Sequence, residues 1–578
     1  MKYILSITLF VGISICTQQK VTAQTYFTNT GVITNDSNWN IFSINVTNPL
    51  FPLCNGSYGL EEVCVSINHP MVQELILIVI SPDASIYQIY NGNAVGANFN
   101  GACFNAVGVD IGASWPPYMG DFIPNYPLGV FNNGQPTAGS WLLVVIDKKQ
   151  PNNAGTLTSC SFKFSTNPSP PFSFDSTNLP IVKIETNGVI IVDDPKIPAS
   201  IGIIDNGAGI FNHPTDTFTF KHKIGIETRG ASSAILHPQI PYGFETWDSL
   251  NNEIDTSILG LPPESDWILY SPQNDRSLMR NVLTYHLANQ MGHYASRTRF
   301  VELMLNGSYK GVYVLMERIK RDKNRVDIAK LTNTDTAGVN LTGGYILKTD
   351  WCVNGSCDGF YSVYTDPNNG SPSFYEYVYP KSQDMLQVQK NYINAYMDSF
   401  ELALSGTNFS DPILGFRKYI DILAACDFIF INEMSRNVDA YRASNYFYKD
   451  KNSNDGRFVL GPVWDYNFAW RNADFCNSDQ ISGWDYSNYA CAPKVFWAKR
   501  MVQDPWFQNR LQCRWQDLRA NQLDTASINH FIDSVALFLN DAKSRHFAIW
   551  KSFGAVPNLY WPPPISLNYQ QEISYMKT

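Results

Sequence analysis

The pattern of apolar and polar positions divides the chain into two unlike parts. From Gln24 to about Ser165, short apolar runs such as Glu74–Ile80 and Ser140–Ile146 alternate with turns rich in Gly, Asn and Pro. Short runs of strand formers bounded by such turns mark strands. No stretch there keeps a helical period, so two stacked sheets are the expected way to bury the apolar faces. Thr166–Pro171, TNPSPP, reads as a short Pro-rich linker.

From Leu179 the pattern becomes mixed. Ile181–Val192, Ile201–Ile204, Phe218–Glu227 and Tyr242–Thr246 read as strands. Asp275–Gly292 reads as a helix, with Asp275 as cap, Gly292 as stop, and Leu278, Val282, Leu283, Leu287 and Met291 on one face. Next comes a hairpin turning at Asn306-Gly307, the strongest short-range hairpin signal. Gly343–Lys348 is a short strand. Asp384–Leu404 and Lys418–Arg436 are helical, the second apolar enough (ILAACDFIFI) to be buried. Val495–Cys513, with a break at Pro505, Asp517–Leu523 and Ala526–Phe547 are helical too. Trp561-Pro-Pro-Pro interrupts the end, and the stretch 556–578 reads as a tail.

One stretch, Asn437–Trp470, carries two isolated acids at the outer ends of a hairpin. Arg442–Lys449 and Arg457–Leu460 are its strands, and Asp450–Gly456 its turn. Pairing Lys449 with Arg457 sets Asp465 opposite Tyr441 and Asp439 opposite Asn467. Two carboxylates and an amide at one mouth can hold a divalent cation through oxygen and leave one acid free as a base.

Composition narrows the classes. The chain has 578 residues, enough for several domains. The net charge is −9 and no basic run tracks phosphates, which argues against nucleic acid as a partner. Met1–Ala23 reads as a secretory leader ending in Val21-Thr22-Ala23, and no later stretch is apolar enough to span a membrane. An exported chain is expected: periplasmic, cell-surface or extracellular. There disulfides are permitted among Cys54, Cys64, Cys103, Cys160, Cys352, Cys357, Cys476 and Cys491, with Cys426 and Cys513 as core thiols. Without C-x-x-C or H-x-x-x-H, zinc is disfavoured.

Two resemblances sharpen this. GSWLLVVIDKKQPNNAGTLTSCSFKF, with VCVSINHPMVQELILIVISPD, resembles the P domain that follows the catalytic domain of subtilisin-like proprotein convertases. It implies a jelly-roll β-sandwich of binding or stabilising type; the protease motifs themselves are missing. IETRGASS, DWILYSPQNDRSLMRNVLTYHLANQMG, RFVELMLNGSYKGVYVLMERIKRDKNRVDIAKL, TGGYILKTD and NVDAYRASNYFYKDKN…VLGPVWDYNFAW closely resemble the CotH kinase family, from about Leu179 to Phe547. The implied architecture is multidomain: leader 1–23, all-β sandwich 24–165, linker 166–178, an α+β atypical protein-kinase-like domain 179–555, and tail 556–578.

The implied activity is phosphoryl transfer from ATP, with Mg²⁺ or Mn²⁺, to Ser or Thr of a protein. The resemblance implies Asp439 as the catalytic acid and Asp465 as the metal ligand, with Asn445 as a further metal contact. It sets Arg229, Gly230, Ser232 and Ser233 near the nucleotide. The backbone from Met316 through Glu317 to Arg318 is expected to serve as the adenine hinge. The family commonly has Lys before Tyr242, where this chain has His237-Pro238-Gln239-Ile240-Pro241. Lys348, Arg280 and Arg229 are the candidate replacements. That departure keeps a second expectation open, a non-catalytic pseudokinase binding a cell-surface or matrix partner through its β-sandwich.

Overall fold

The computed structural model describes residues 22–578 apart from 35–38, 84, 91, 93, 149–153, 172–173, 231–238, 351–357, 366–370, 488–490, 492–493, 551–565 and 567. The expected leader and the Cys352–Cys357 loop therefore lie largely or wholly outside the described residues.

The first part is all-β, as the short strand-forming runs between turns predict. Ala23–Phe27, Gly155–Ser165, Gly59–Asn68, Phe99–Val109 and Tyr118–Phe122 form one sheet in that order, with Gly31–Ile33 also on Gly155–Ser165. Asn40–Val46, Gly139–Asp147, Leu75–Ile80 and Ile86–Tyr90 form the other. Val63, Val65 and Phe162 of the first sheet meet Leu77, Val79 and Trp141 of the second in one core. Cys64 and Cys103, opposed on neighbouring strands, form a disulfide. The Pro-rich stretch is not a free linker: Ser169 N–H donates to the Leu60 carbonyl at 3.1 Å, and Asn132 Nδ2 donates to the Ser169 carbonyl at 2.8 Å.

Seven strands then close into a barrel: β1 (Ile181–Glu185), β2 (Ile197–Ile204), β3 (Phe220–Thr228), β4 (Tyr242–Trp247), β5 (Asp266–Tyr270), β6 (Thr298–Leu305) and β7 (Ser308–Glu317). The order is β1-β2-β3-β4-β5-β7-β6, and a parallel pairing of Ile181 with Glu302 closes it. Closure removes the exposed edges that an open sheet would carry. It also corrects the hinge expectation. Met316 pairs with Ile268 on one side and Thr298 on the other, and Glu317 N–H donates to the Arg297 carbonyl. The Glu317 carboxylate is buried and takes the Arg297 backbone N–H and guanidinium, both at 3.0 Å. Neither residue offers a free backbone edge to an adenine.

Between β5 and β6 the first helix, α1 (Arg280–Gln290), begins five residues later than the sequence suggests. Leu278 adopts a left-handed backbone (φ 64°), and Asp275 folds its carboxylate over the turn to accept the Arg280 N–H at 2.7 Å. A second sheet follows, in the order β9 (Gly359–Thr365), β10 (Pro372–Tyr379), β8 (Tyr345–Thr349), β11 (Asn445–Lys449) and β12 (Phe458–Leu460). Helices α2 (Gln387–Ser405) and α3 (Ile422–Ser435) pack on this sheet and α4 (Pro505–Ala520) on α3, while α6 (Asn540–Ile549), beside α5 (Thr525–Phe538), packs on β7 of the barrel; the apolar α3 is buried as predicted. The expected tail contains α7 (Tyr569–Met576), whose Tyr569, Ile573 and Met576 join the main core.

The two halves share a core. Tyr309, Ile549 and Trp550 belong to the cluster of buried sandwich residues. Trp550 meets Tyr126 edge-on at 4.1 Å, and its indole N–H donates to the Lys310 carbonyl at 2.9 Å. Gly311 makes this approach possible. It has φ 90°, and a Cβ there would lie 2.8 Å from the Trp550 indole nitrogen.

Candidate functional site: an acid-lined cleft

The register of the second sheet builds the site. Thr349 pairs with Asn445, so the chain leaves β8 at Asp350 beside the start of β11. Phe447 pairs with Leu460, so β12 ends at the same side. Pro462 has no N–H to continue the ladder, and the chain turns through Gly461-Pro462 toward Asp465. Asp439 lies in the turn between α3 and β11. Three acids, Asp350, Asp439 and Asp465, thus gather at one end of three neighbouring strands.

The hairpin register differs by one from expectation: Lys449 pairs with Phe458, not Arg457. Asp455 takes a left-handed backbone (φ 61°), and Arg457 folds back to pair with Asp455 and Asp421, which takes it out of the ladder. Asp465 is therefore not the ladder partner of Tyr441, nor Asp439 that of Asn467; loops beyond the strand ends carry both acids to the site.

Each acid is held by its backbone. Asp465 N–H donates to the Tyr285 hydroxyl at 3.2 Å, and Tyr466 N–H donates to Asn281 Oδ1 at 2.6 Å. Both partners are on α1. The Asp439 carbonyl accepts the N–H groups of Arg442 and Ala443 and the Asn445 side chain, each at 3.1 Å. Tyr441, Ser444 and Asp465 all have positive φ (63°, 55° and 63°). Such backbones cost roughly 1–3 kcal/mol each and concentrate at functional sites.

The electrostatics are those of crowded carboxylates. Burial, reinforced by Asp439 and Asp350, pushes Asp465 up to about 7, against Arg229 and Lys348, which pull it down. Burial also raises Asp439; Arg442, 3.4 Å away, opposes this, Asp350 adds to it, and Lys494 opposes it. Asp465 nonetheless keeps a partly exposed surface, so a solute reaches it. Asn467, two residues on, has a buried Oδ1 without a hydrogen-bond partner among the described residues. Among the described residues the three carboxylates do not converge within 4.8 Å of one another; they ring the cleft. Carboxylate oxygens repelling one another, with an orphaned amide oxygen near them in sequence, are a hard-oxygen donor set suited to Mg²⁺ or Mn²⁺.

Cations face the acids. Arg229, at the end of β3, lies with its guanidinium 5.8 Å from the Trp464 ring and interacts with Asp465. Gly230 follows with φ 96°, a backbone that favours Gly. Lys348 is 2.7 Å from Asp350 and 3.1 Å from Glu376. Ser232 and Ser233 lie outside the described residues. Asn445 is at the site, but its amide is tied to Thr349, Asp439 and Ala443, and its oxygen accepts the Tyr441 N–H at 3.3 Å. It braces the strands that carry the acids.

One expected phosphate cation is corrected here. Arg280 is not a free phosphate cation: it is fully buried between Asp275 and Glu572, 2.6 and 2.7 Å away. The Gln239 side chain is also buried, donating to the carbonyls of Val312 at 2.8 Å and Lys310 at 3.3 Å. That position braces β7. Asp350 was missed by sequence reasoning; its signal was its place one residue beyond the TGGYILKT strand, visible only once β8 is paired with β11.

Cys476 and Cys491 form a further disulfide and close a loop beyond Asp465. Cys426 is a buried thiol as expected, but Cys513 is exposed. No helix among the described residues is long and apolar enough to cross a membrane.

No curated protein matches the chain. The family described as CotH kinase protein matches residues 226–578, starting within β3 and running through α7. That match covers more than half of the chain, which therefore belongs to the CotH kinase family.

Proposed function

We propose that this is an exported atypical protein kinase that transfers the γ-phosphoryl group of ATP to Ser or Thr of a protein. The observation that carries the reading is the opposition of Asp465, Asp439 and Asp350 to Arg229 and Lys348 across one cleft. Phosphoryl transfer asks chiefly for positioning and for charge to balance the phosphates. Asp465 and Asn467 are the residues suited to hold Mg²⁺ or Mn²⁺, which when bound would neutralise phosphate oxygens. Asp439 accepts the acceptor hydroxyl proton as the new O–P bond forms and the bond to the ADP oxygen breaks. Arg229 and Lys348 hold phosphate oxygens. The leader and the two disulfides among the described residues are compatible with export. The β-sandwich, read as a jelly-roll P-like module, serves to bind a surface or matrix partner.

The non-catalytic reading draws on the closed barrel, which denies adenine the edge of β7, and on Lys348, which Asp350 and Glu376 already engage. Labelled ATP with Mg²⁺ or Mn²⁺ and a generic protein acceptor separates the two. Transfer that Asp439→Ala and Asp465→Ala both abolish supports the kinase. Absence of transfer, together with no thermal shift on adding ATP and metal, supports the pseudokinase.

A further inference from the structure

The segment after Asp465 is caught along one helix face. Asn281 and Tyr285 on α1 accept the N–H groups of Tyr466 and Asp465. Thr284 Oγ1 accepts the Trp470 indole N–H at 2.8 Å, and Arg280 donates to the Trp470 carbonyl from Nε and Nη2, at 3.4 and 3.3 Å. Residues 280, 281, 284 and 285 are neighbours on one helical face, so the position of α1 sets the position of Asp465.

The side chain that fixes Arg280 comes from the far end of the chain. Glu572 on α7 lies 2.7 Å from Arg280 Nη2, both buried, with Asp275 on the other guanidinium nitrogen. Alpha7 touches the same region twice more. Tyr569 donates to the Ser277 carbonyl at 3.1 Å, just before α1, and Tyr575 lies 3.8 Å from the Arg471 guanidinium, just after Trp470. Arg471 also donates to Thr578 Oγ1 at 2.6 Å. One short helix thus grips both the start of α1 and the end of the segment that α1 holds.

We infer that α7 is a latch on the active cleft, with Glu572 as a positioning residue that sets Asp465 through Arg280 and α1. Glu572 touches neither metal nor nucleotide. A buried charge pair with a second acid on the same guanidinium fixes orientation; removing one acid leaves Arg280 free to follow Asp275 and release the Trp470 carbonyl. The inference rests on the functional reading of Asp465, so its test needs one readout that does not depend on that reading.

Glu572→Gln in the full chain keeps the shape and the hydrogen-bonding oxygen but removes the charge. Hydrogen exchange at the amides of 465–470 and Mn²⁺ affinity are measured together. The latch predicts exchange at Asp465 and Tyr466 faster by about tenfold and Mn²⁺ binding weaker by about tenfold, the scale of one charge-assisted bond. Exchange in the strand Gly139–Asp147 stays as in the wild type. Unchanged protection at 465–470 overturns the latch. Faster exchange in a chain whose wild type binds no Mn²⁺ overturns the metal reading and leaves the latch standing.

Discussion

The Tyr285 hydroxyl accepts the backbone N–H of Asp465 at 3.2 Å, tying the acid to the helix of the barrel half across 180 residues of sequence. The bond leaves the carboxylate itself free of that partner. With φ at 63°, the Asp465 backbone is held where an L-residue seldom rests, and the side chain is turned to a cleft of like charges.

Asp465 makes the protein's stability depend on pH. Its carboxyl holds its proton to about 7 when folded, against an ordinary value of 3.8. Between those values the folded state binds the extra proton, so stability falls as pH rises from about 4 to about 7. Without divalent cation, Asp465→Asn is expected to unfold at higher temperature than wild type at pH 8, by a margin on the order of 3 kcal/mol. Adding Mn²⁺ should reverse the ranking, because only the wild type has the carboxylate to gain. Thermal unfolding at pH 5 and 8, with and without Mn²⁺, checks both signs.

Asp439 is expected to act on the acceptor. Asp439→Asn should keep Mn²⁺ and ATP binding close to wild type while transfer falls by roughly 10²–10⁴. Equal losses in binding and turnover would move Asp439 into the metal set.

Asp350 raises both other acids by charge alone. Asp350→Asn removes one negative neighbour and loosens Lys348 from a partner 2.7 Å away; both changes favour ionised Asp465. The pH at which Mn²⁺ binding reaches half its maximum should fall below that of the wild type. A midpoint that does not move argues that Asp350 lies too far from Asp465 to matter.

The sandwich is fused to the rest through Trp550. Trp550→Ala removes the edge contact with Tyr126 and the bond to the Lys310 carbonyl. A loss of about 3–5 kcal/mol is expected, with the sandwich and the rest of the chain unfolding in separate transitions where the wild type unfolds in one. One unsplit transition at the wild-type temperature would show that the shared core contributes little.

Local patterns carried much of this fold into the sequence. Short strand-forming runs between turns marked the sandwich strands, Asn306-Gly307 marked the turn between β6 and β7, and the run ILAACDFIFI marked the buried α3. The two acids of the cleft stood out because each is isolated in apolar surroundings. What stayed hidden depends on pairing between distant segments. Closure of the barrel needs β1 beside β6, more than a hundred residues on, and no local signal announces a parallel pair. Asp350 joins the site only through the Thr349–Asn445 register. The start of α1 was misplaced because Asp275 looks like a cap, while its carboxylate instead serves Arg280 through a left-handed Leu278. The role of α7 was invisible because Glu572 and Arg280 lie 292 residues apart.

The most direct measurement is a crystal structure of the full chain with Mn²⁺ and a non-hydrolysable ATP analogue, read by anomalous scattering. The account predicts a manganese peak against the Asp465 carboxylate, with phosphate oxygens facing Arg229 and the terminal phosphate turned toward Asp439. Manganese absent from Asp465, or nucleotide bound away from Arg229, would contradict it.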